Sequence, residues 1–233
     1  MTKKTYFGLS VGRLILIGVT AVLLAITTLI FQPENPLHNF QVLPLFISLV
    51  VMILQSSANR YGYHLGSVNS LIYAAVYLFI LDLPGSASSA AFISFPFQLA
   101  TFISWSRKPY GNSTVFKKLS KKALVLMTAA VCAAWLIWCC LASAFTSVKS
   151  VLDIATALLG YLIPVLSMLG ILDYIYFNLV SQAIGIALML TLTIGDISRL
   201  PNLVYYIYAG ICLILAFKKI TALYKEQNSQ KKE

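Results

Sequence analysis

The sequence predicts an all-α integral membrane protein with about eight transmembrane helices, and three observations predict it. Hydrophobic residues make up 59% of the 233-residue chain. Charged residues make up only 10%, where soluble domains carry about 25%. Long apolar runs alternate with short polar loops, giving a mean hydropathy of +0.85. The net charge of +10 sits in loops and tails between the apolar runs, so it marks no nucleic-acid-binding face.

A bilayer core about 30 Å thick takes roughly 20 helical residues. Apolar runs of that order cover 11–31, 40–58, 62–82, 88–107, 122–146, 151–170, 172–192 and 201–219. The first follows Lys3, Lys4 and Arg13 and is long enough to stay as a span rather than serve as a cleaved signal. In the second, Gln55 and the pair Ser56-Ser57 interrupt the end. Breakers bound the others: "QPENP" at 32–36, "DLPGSAS" at 82–88, "RKPYGNS" at 107–113 and "GDISRLPN" at 195–202. The sixth and seventh runs join through a tight turn from Gly170 to Asp173.

Eight spans place all but Lys149 and Arg199 of the 17 lysines and arginines on one side. The positive-inside rule then puts both termini in the cytoplasm of a plasma-membrane protein. Seven spans would break this asymmetry.

A repeat at an offset of 112–113 residues organises the chain. "GSVNSLIYAAVYLFILDLPGSAS" matches "NLVSQAIGIALMLTLTIGDISR" in layout, and "FISFPFQLATFISWSRK" matches "LVYYIYAGICLILAFKK". One span links the two triplets, so both face the same way: a parallel 3+1+3 pseudo-repeat with one extra N-terminal span. The expected division is 1–38 (N-terminus and extra span), 39–108 (first three-helix bundle), 109–150 (basic loop and linker span), 151–220 (second bundle) and 221–233 (cytoplasmic tail).

Four carboxamides fall inside the third, fourth and seventh apolar runs: Asn69, Gln98, Asn178 and Gln182. Helical spacing sets Tyr174, Asn178 and Gln182 in one stripe, and Tyr61, Leu65, Asn69, Tyr73 and Tyr77 in another. Phe95, Gln98, Phe102 and Trp105 share a third face, and Tyr205 and Tyr208 begin a fourth. An amide left unpaired in hydrocarbon costs several kcal/mol, so each must meet backbone, another amide, water or a ligand. Amides beside aromatic rings suit a planar heteroaromatic solute, with rings stacking and amides binding its polar edge. Pro96 adds to this by freeing a backbone carbonyl one turn earlier. The competing reading is that the amides only join helices.

The remaining residues exclude other chemistry. Cys132, Cys139, Cys140 and Cys212 lie in apolar runs without ligand spacing, and His38 and His64 are isolated. The "WLIW" of Trp135–Trp138 falls in the linker span and reads as packing. Asp82, Asp153, Asp173 and Asp196 all sit at span ends, so no buried acid offers ion coupling. There is no Gly-rich phosphate loop, nucleophile elbow or HExxH, so no catalytic residue, metal or cofactor is expected.

The stretch "RYGYHLGSVNSLIYAAVYLFILDLPGSASSAAFISFPFQLATFISWSRK" resembles the first half of PnuC-type vitamin-precursor transporters. Asn69, Gln98 and Trp105 fall on that family's motif positions. "SVLDIATALLGYL" and "LDYIYFNLVSQAIG" resemble the second half, opening at Asp153. There the family's Trp-x-x-Trp and following Asn are replaced by Ile175, Asn178 and Gln182, with Tyr174 and Phe177 next door. The resemblance implies a SWEET-like fold and facilitated diffusion of nicotinamide riboside or a related vitamin precursor or nucleoside. It also implies a cytosolic kinase that traps the imported compound.

The expected function is therefore uniport of a small aromatic solute across a lipid bilayer. Its binding residues would be Asn69, Tyr73, Phe95, Gln98, Phe102, Trp105, Tyr174, Asn178, Gln182 and Tyr208. The alternative is a non-transporting membrane scaffold or subunit; either is compatible with a homo-oligomer. Orientation is checked by cysteine labelling of the 107–122 loop in intact cells. An impermeant reagent should fail to reach it from outside, and labelling from outside would overturn the assignment.

Overall fold

The computed structural model describes residues 5–6, 9–31, 42–79, 87–88, 90–141 and 147–230. The "QPENP" breaker, most of "DLPGSAS", Lys3, Lys4, His38, Asp82, Lys231, Lys232 and the Tyr77 side chain lie outside the described residues.

Among the described residues, eight main helices follow the eight apolar runs. They are α1 (Val11–Ile30), α2 (Leu43–Ser56), α3 (Tyr61–Phe79), α4 (Phe95–Arg107), α5 (Lys121–Leu141), α6 (Val148–Met168), α7 (Tyr174–Gly195) and α8 (Leu200–Gln230). Five of them, α1 and α5 to α8, are by themselves long and apolar enough to cross a membrane. The 14 residues of α2 are apolar but shorter. A π-helical turn, Ala90–Ser94, precedes the 13 residues of α4. The π-turn runs without a break into α4, so Pro96 lies inside a continuous helical run from Ala90 to Arg107, and its missing N–H falls where the π pattern gives way to α. The chain is an all-α, multi-pass membrane protein.

Six helices pack in a closed ring, in the order α2, α3, α4, α6, α7, α8 and back to α2. Outside the ring, α1 lies against α8 and α2, and α5 lies against α6. Most of α5 is exposed, including Val125, Leu126 and Trp138, as suits a helix facing lipid.

Polar stitches mark the joints of the ring. Asn69 of α3 donates to the Pro44 carbonyl (3.1 Å) and to Ser48 Oγ (2.8 Å) of α2. Gln98 Nε2 of α4 donates to Ser70 Oγ of α3 at 3.1 Å. Trp105 Nε1 of α4 donates to the Ser167 carbonyl of α6 at 2.8 Å, and Ser104 Oγ to the Met168 carbonyl at 2.6 Å. Gln182 Nε2 of α7 donates to the Tyr206 carbonyl of α8 at 2.6 Å. Tyr208 Oη of α8 donates to the Leu49 carbonyl of α2 at 2.6 Å and closes the ring. The remaining joint, α6 to α7, is the tight turn, where Gly170 takes φ +68° with the Val115 carbonyl 3.2 Å from where a Cβ would be. Glycine meets both demands without strain.

The basic end of the ring is capped. Lys117 pairs by backbone with the α6–α7 turn, to Gly170 (2.9 Å) and Leu172 (2.7 Å). Leu119 N–H donates to Asp173 Oδ2 at 2.8 Å. The helix α8 has 31 residues, about 46 Å, so it outruns a hydrocarbon core of about 30 Å. Its buried Gln227 accepts from Phe116 N–H and donates to the Thr114 carbonyl, both at 2.9 Å. Beneath the clamp Trp105, Phe116 and Tyr63 stack edge to face, with centroids 4.8 and 5.5 Å apart. Arg13 of α1 adds a tie to Ser57 at the end of α2.

Replacing Gln227 by Leu would leave two buried backbone groups of the 114–116 segment unpaired. The expected loss is about 2–4 kcal/mol, seen as a lower melting temperature in detergent and faster proteolysis of the 107–120 loop. An unchanged melting temperature would show that the clamp is not structural.

Candidate functional site

Inside the ring lies a cavity of about 330 Å³, within the usual size range of small-molecule sites. Each helix of the ring supplies one face. From α2 come Ser48, Val51, Met52 and Gln55, whose 3-1-3 spacing is one helical stripe. From α3 come Tyr63, Gly66, Asn69, Ser70 and Tyr73. The π-turn and α4 supply Ser94, Phe97, Gln98 and Thr101, again one stripe. Ile163, Pro164 and Ser167 come from α6, Tyr174 and Asn178 from α7, and Tyr205 from α8. Pro164 inside α6 leaves the Gly160 carbonyl without its usual helical donor.

The sequence-predicted residues divide into two groups. Asn69, Tyr73, Gln98, Tyr174 and Asn178 line the cavity together. Phe95, Phe102, Trp105, Gln182 and Tyr208 do not. Phe102 packs on Tyr61 and His64 (centroids 6.0 and 4.9 Å), Trp105 is fully buried toward the clamp, and Gln182 and Tyr208 are ring stitches. The face of α4 turned inward is 94–97–98–101 rather than 95–98–102–105, so Phe97 replaces Phe95 as the lining ring. Ser48, Met52, Gln55, Tyr63, Thr101, Ser167 and Tyr205 were not among the expected site residues. The α2 stripe was readable from its spacing; Ser167 was not, because its place depends on the long-range bond to Tyr63 Oη at 2.9 Å.

The two central amides have fixed orientations. Pro44 O can only accept, so the atom of Asn69 facing it is the nitrogen, and both its N–H groups go to α2. Ser70 Oγ donates its hydrogen to the Gly66 carbonyl at 3.0 Å and so receives an N–H from Gln98. Both carbonyl oxygens, Asn69 Oδ1 and Gln98 Oε1, are buried without a partner in the protein. Such an orphan costs about 1–3 kcal/mol, and native structures hold few of them. No Asp, Glu, Lys, Arg or His is among the described lining residues. The described lining is thus uncharged, aromatic and polar by turns. Among the described residues no cluster could hold a metal ion.

The model of the family described as "Nicotinamide mononucleotide transporter" matches residues 38–222. The chain belongs to that family. This transporter-family chain also shares its fold with a solved structure, the crystal structure of the vitamin B3 transporter PnuC. The two superpose with a TM-score of 0.68 at 17% identity, over 92% of this chain and 91% of that one. No curated protein matches it. The resemblance read from the sequence is borne out at the level of family and fold.

The geometry separates the two amides by role. Asn69→Leu removes two bonds to α2, for an expected loss of about 1–3 kcal/mol. Gln98→Leu removes one neutral bond together with an unpaired oxygen, and should change apo stability by about 1 kcal/mol or less. Thermal unfolding of the two variants in detergent checks the order; the reverse order would contradict it.

Proposed function

We propose that the protein is a uniporter that imports a small, uncharged or weakly cationic aromatic riboside, with nicotinamide riboside the first candidate. The observation that carries this is the aromatic-walled cavity enclosed by the ring, with no charged side chain among its described lining residues. Rings such as Phe97, Tyr73 and Tyr205 offer stacking surface to a heterocycle. Amide oxygens accept from hydroxyls or from a carboxamide N–H. A mononucleotide fits less well: its phosphate brings nearly two negative charges, and such a group is ordinarily met by Arg or Lys. The described lining residues include neither. The lack of a carboxylate among the described lining residues favours passage down the solute's own gradient, without proton or sodium coupling.

On this reading the two triplets flank the solute, both termini are cytoplasmic, and the protein sits in the plasma membrane. A cytosolic kinase that phosphorylates the arriving riboside would keep uptake running inward. The scaffold alternative draws support from Asn69, Gln98 and Gln182, each of which joins two helices.

Uptake of labelled solute into proteoliposomes decides between them. Nicotinamide riboside should enter and equilibrate at the same rate whether or not proton and sodium gradients are present, and the mononucleotide should not compete. Uptake that collapses with the gradients would refute uniport. No uptake and no thermal stabilisation by any member of a vitamin and nucleoside panel would favour the scaffold.

A further inference from the structure

The cavity reaches the basic end of the ring. Gln55 in α2, Tyr63 in α3, Ser167 in α6 and Tyr174 in α7 all line it, and each is among the first or last three residues of its helix at that end. Beyond them lies an aromatic floor. Tyr63 Oη pairs with Ser167 Oγ at 2.9 Å, Trp105 Nε1 donates to the Ser167 carbonyl, and Phe116 stands edge-on to Trp105. Trp105 and Phe116 are both buried.

Phe116 belongs to no helix. It sits in a strap, residues 112–119, that crosses the basic end on its way from α4 to α5. The Asn112 carbonyl accepts from Arg60 N–H of the α2–α3 turn at 2.8 Å. Thr114 Oγ1 donates to the carbonyl of Lys108, next to the end of α4, at 3.1 Å. Lys117 and Leu119 bond the α6–α7 turn, and Gln227 of α8 holds Thr114 and Phe116. The strap therefore ties together all six helices of the ring, or the turns between them. Its tie to α8 is made by side chains alone. Gln227 brackets the backbone of Phe116, and Tyr110 of the adjoining hairpin donates to Glu226 at 2.9 Å.

These ties differ from the stitches within the ring in what parting them leaves behind. A stitch inside the membrane has no water to replace it, so breaking it bares a polar group to hydrocarbon. The strap lies on the part of α8 that outruns the hydrocarbon core, with Lys117 and Lys118 exposed beside it. When Gln227 lets go there, water takes over both backbone groups and the amide. Of the contacts that close the cavity, those of the strap open and re-form with the smallest loss.

We propose that the 112–119 strap is a gate: latched by Gln227, it plugs the basic end of the cavity with Phe116, and it must come off α8 for solute to pass. This rests on the transporter reading above and supplies its moving part.

The first arm of the test reads the gate without any solute. Met52 lines the cavity. Met52→Cys is made in the full chain with Cys132→Ala, Cys139→Ala, Cys140→Ala and Cys212→Ala, with and without Gln227→Leu. An impermeant thiol reagent is added to one face of oriented membrane vesicles. From the basic face, Gln227→Leu should raise the modification rate about tenfold, the population shift expected for two lost hydrogen bonds. From the opposite face the rate should not rise. An equal rise from both faces would mark general loosening and overturn the proposal, as would no rise at all. In the second arm, Tyr110→Cys and Glu226→Cys, whose native side chains meet, are bridged in proteoliposomes by a cleavable bis-thiosulfonate. Bridging should cut uptake of labelled nicotinamide riboside at least about tenfold, reversibly on reduction, with its dissociation constant unchanged. Full uptake in the bridged protein would overturn the gate and leave the transporter reading intact. Should Gln227→Leu fail to fold, the bridged pair carries the test. A wild type that takes up neither this riboside nor any other member of the vitamin and nucleoside panel would remove the transporter reading and the gate together.

Discussion

Hydrocarbon cannot satisfy a polar group, and this constraint shapes the whole ring. Every amide, indole N–H or hydroxyl inside these apolar helices has to find a partner within the protein. Most serine and threonine hydroxyls find it one turn back in their own helix, while the larger polar side chains reach the next helix. Asn69 finds α2, Gln98 finds α3, Trp105 finds α6, Gln182 finds α8, and Tyr208 finds α2. The polar residues thereby fix which helices are neighbours, in a setting where apolar contact alone does little to favour one neighbour over another. The two helices outside the ring, α1 and α5, carry fewer such ties, Arg13 to the end of α2 and Trp135 Nε1 to the Val151 carbonyl of α6. They present mostly Val, Leu and Ile to the outside, and α5 packs on one neighbour.

A buried amide can join two helices and also belong to the lining of a cavity, and Asn69 and Gln98 do both. A carboxamide has donors at one end and an acceptor at the other. In these two residues the donor end is engaged by a neighbouring helix and the acceptor end is buried without a partner. The anchored end restricts rotation of the whole group. Gln182 lies at the other extreme. Its nitrogen meets the Tyr206 carbonyl and the residue does not line the cavity.

Much of this could be read from the residues, and the exceptions have physical causes. The number and order of helices follow from apolar run length, which is a local property. The four amides announce themselves because each is out of place in a span. Whether a given amide joins helices or faces a solute depends on which way its helix is rotated, and that is set by packing. The π-turn before α4 precedes a cavity face that runs through Phe97 and Thr101, and leaves Phe102 and Trp105 to pack elsewhere. On α2, Ser48 and Gln55 are seven residues apart on one face, yet a glutamine near a span end reads as an interruption. Gln227 looked like part of a soluble tail. Its spacing from Ile220 and Leu223 continues the buried stripe of α8, and the three are buried together.

The length of α8 has a mechanical consequence. It is an unbroken helix from Leu200 to Gln230, touching α1, α2 and α7 along its ring portion and gripping the 114–116 segment near its end. Tyr205, at the cavity, and Gln227, at the clamp, are separated by about 33 Å of continuous helix. A rigid rod of that length turns a tilt of about 3° at one end into a displacement of nearly 2 Å at the other, about enough to part a hydrogen bond. Any motion that widens the cavity beside Tyr205 must therefore carry the clamp with it, break it, or bend α8.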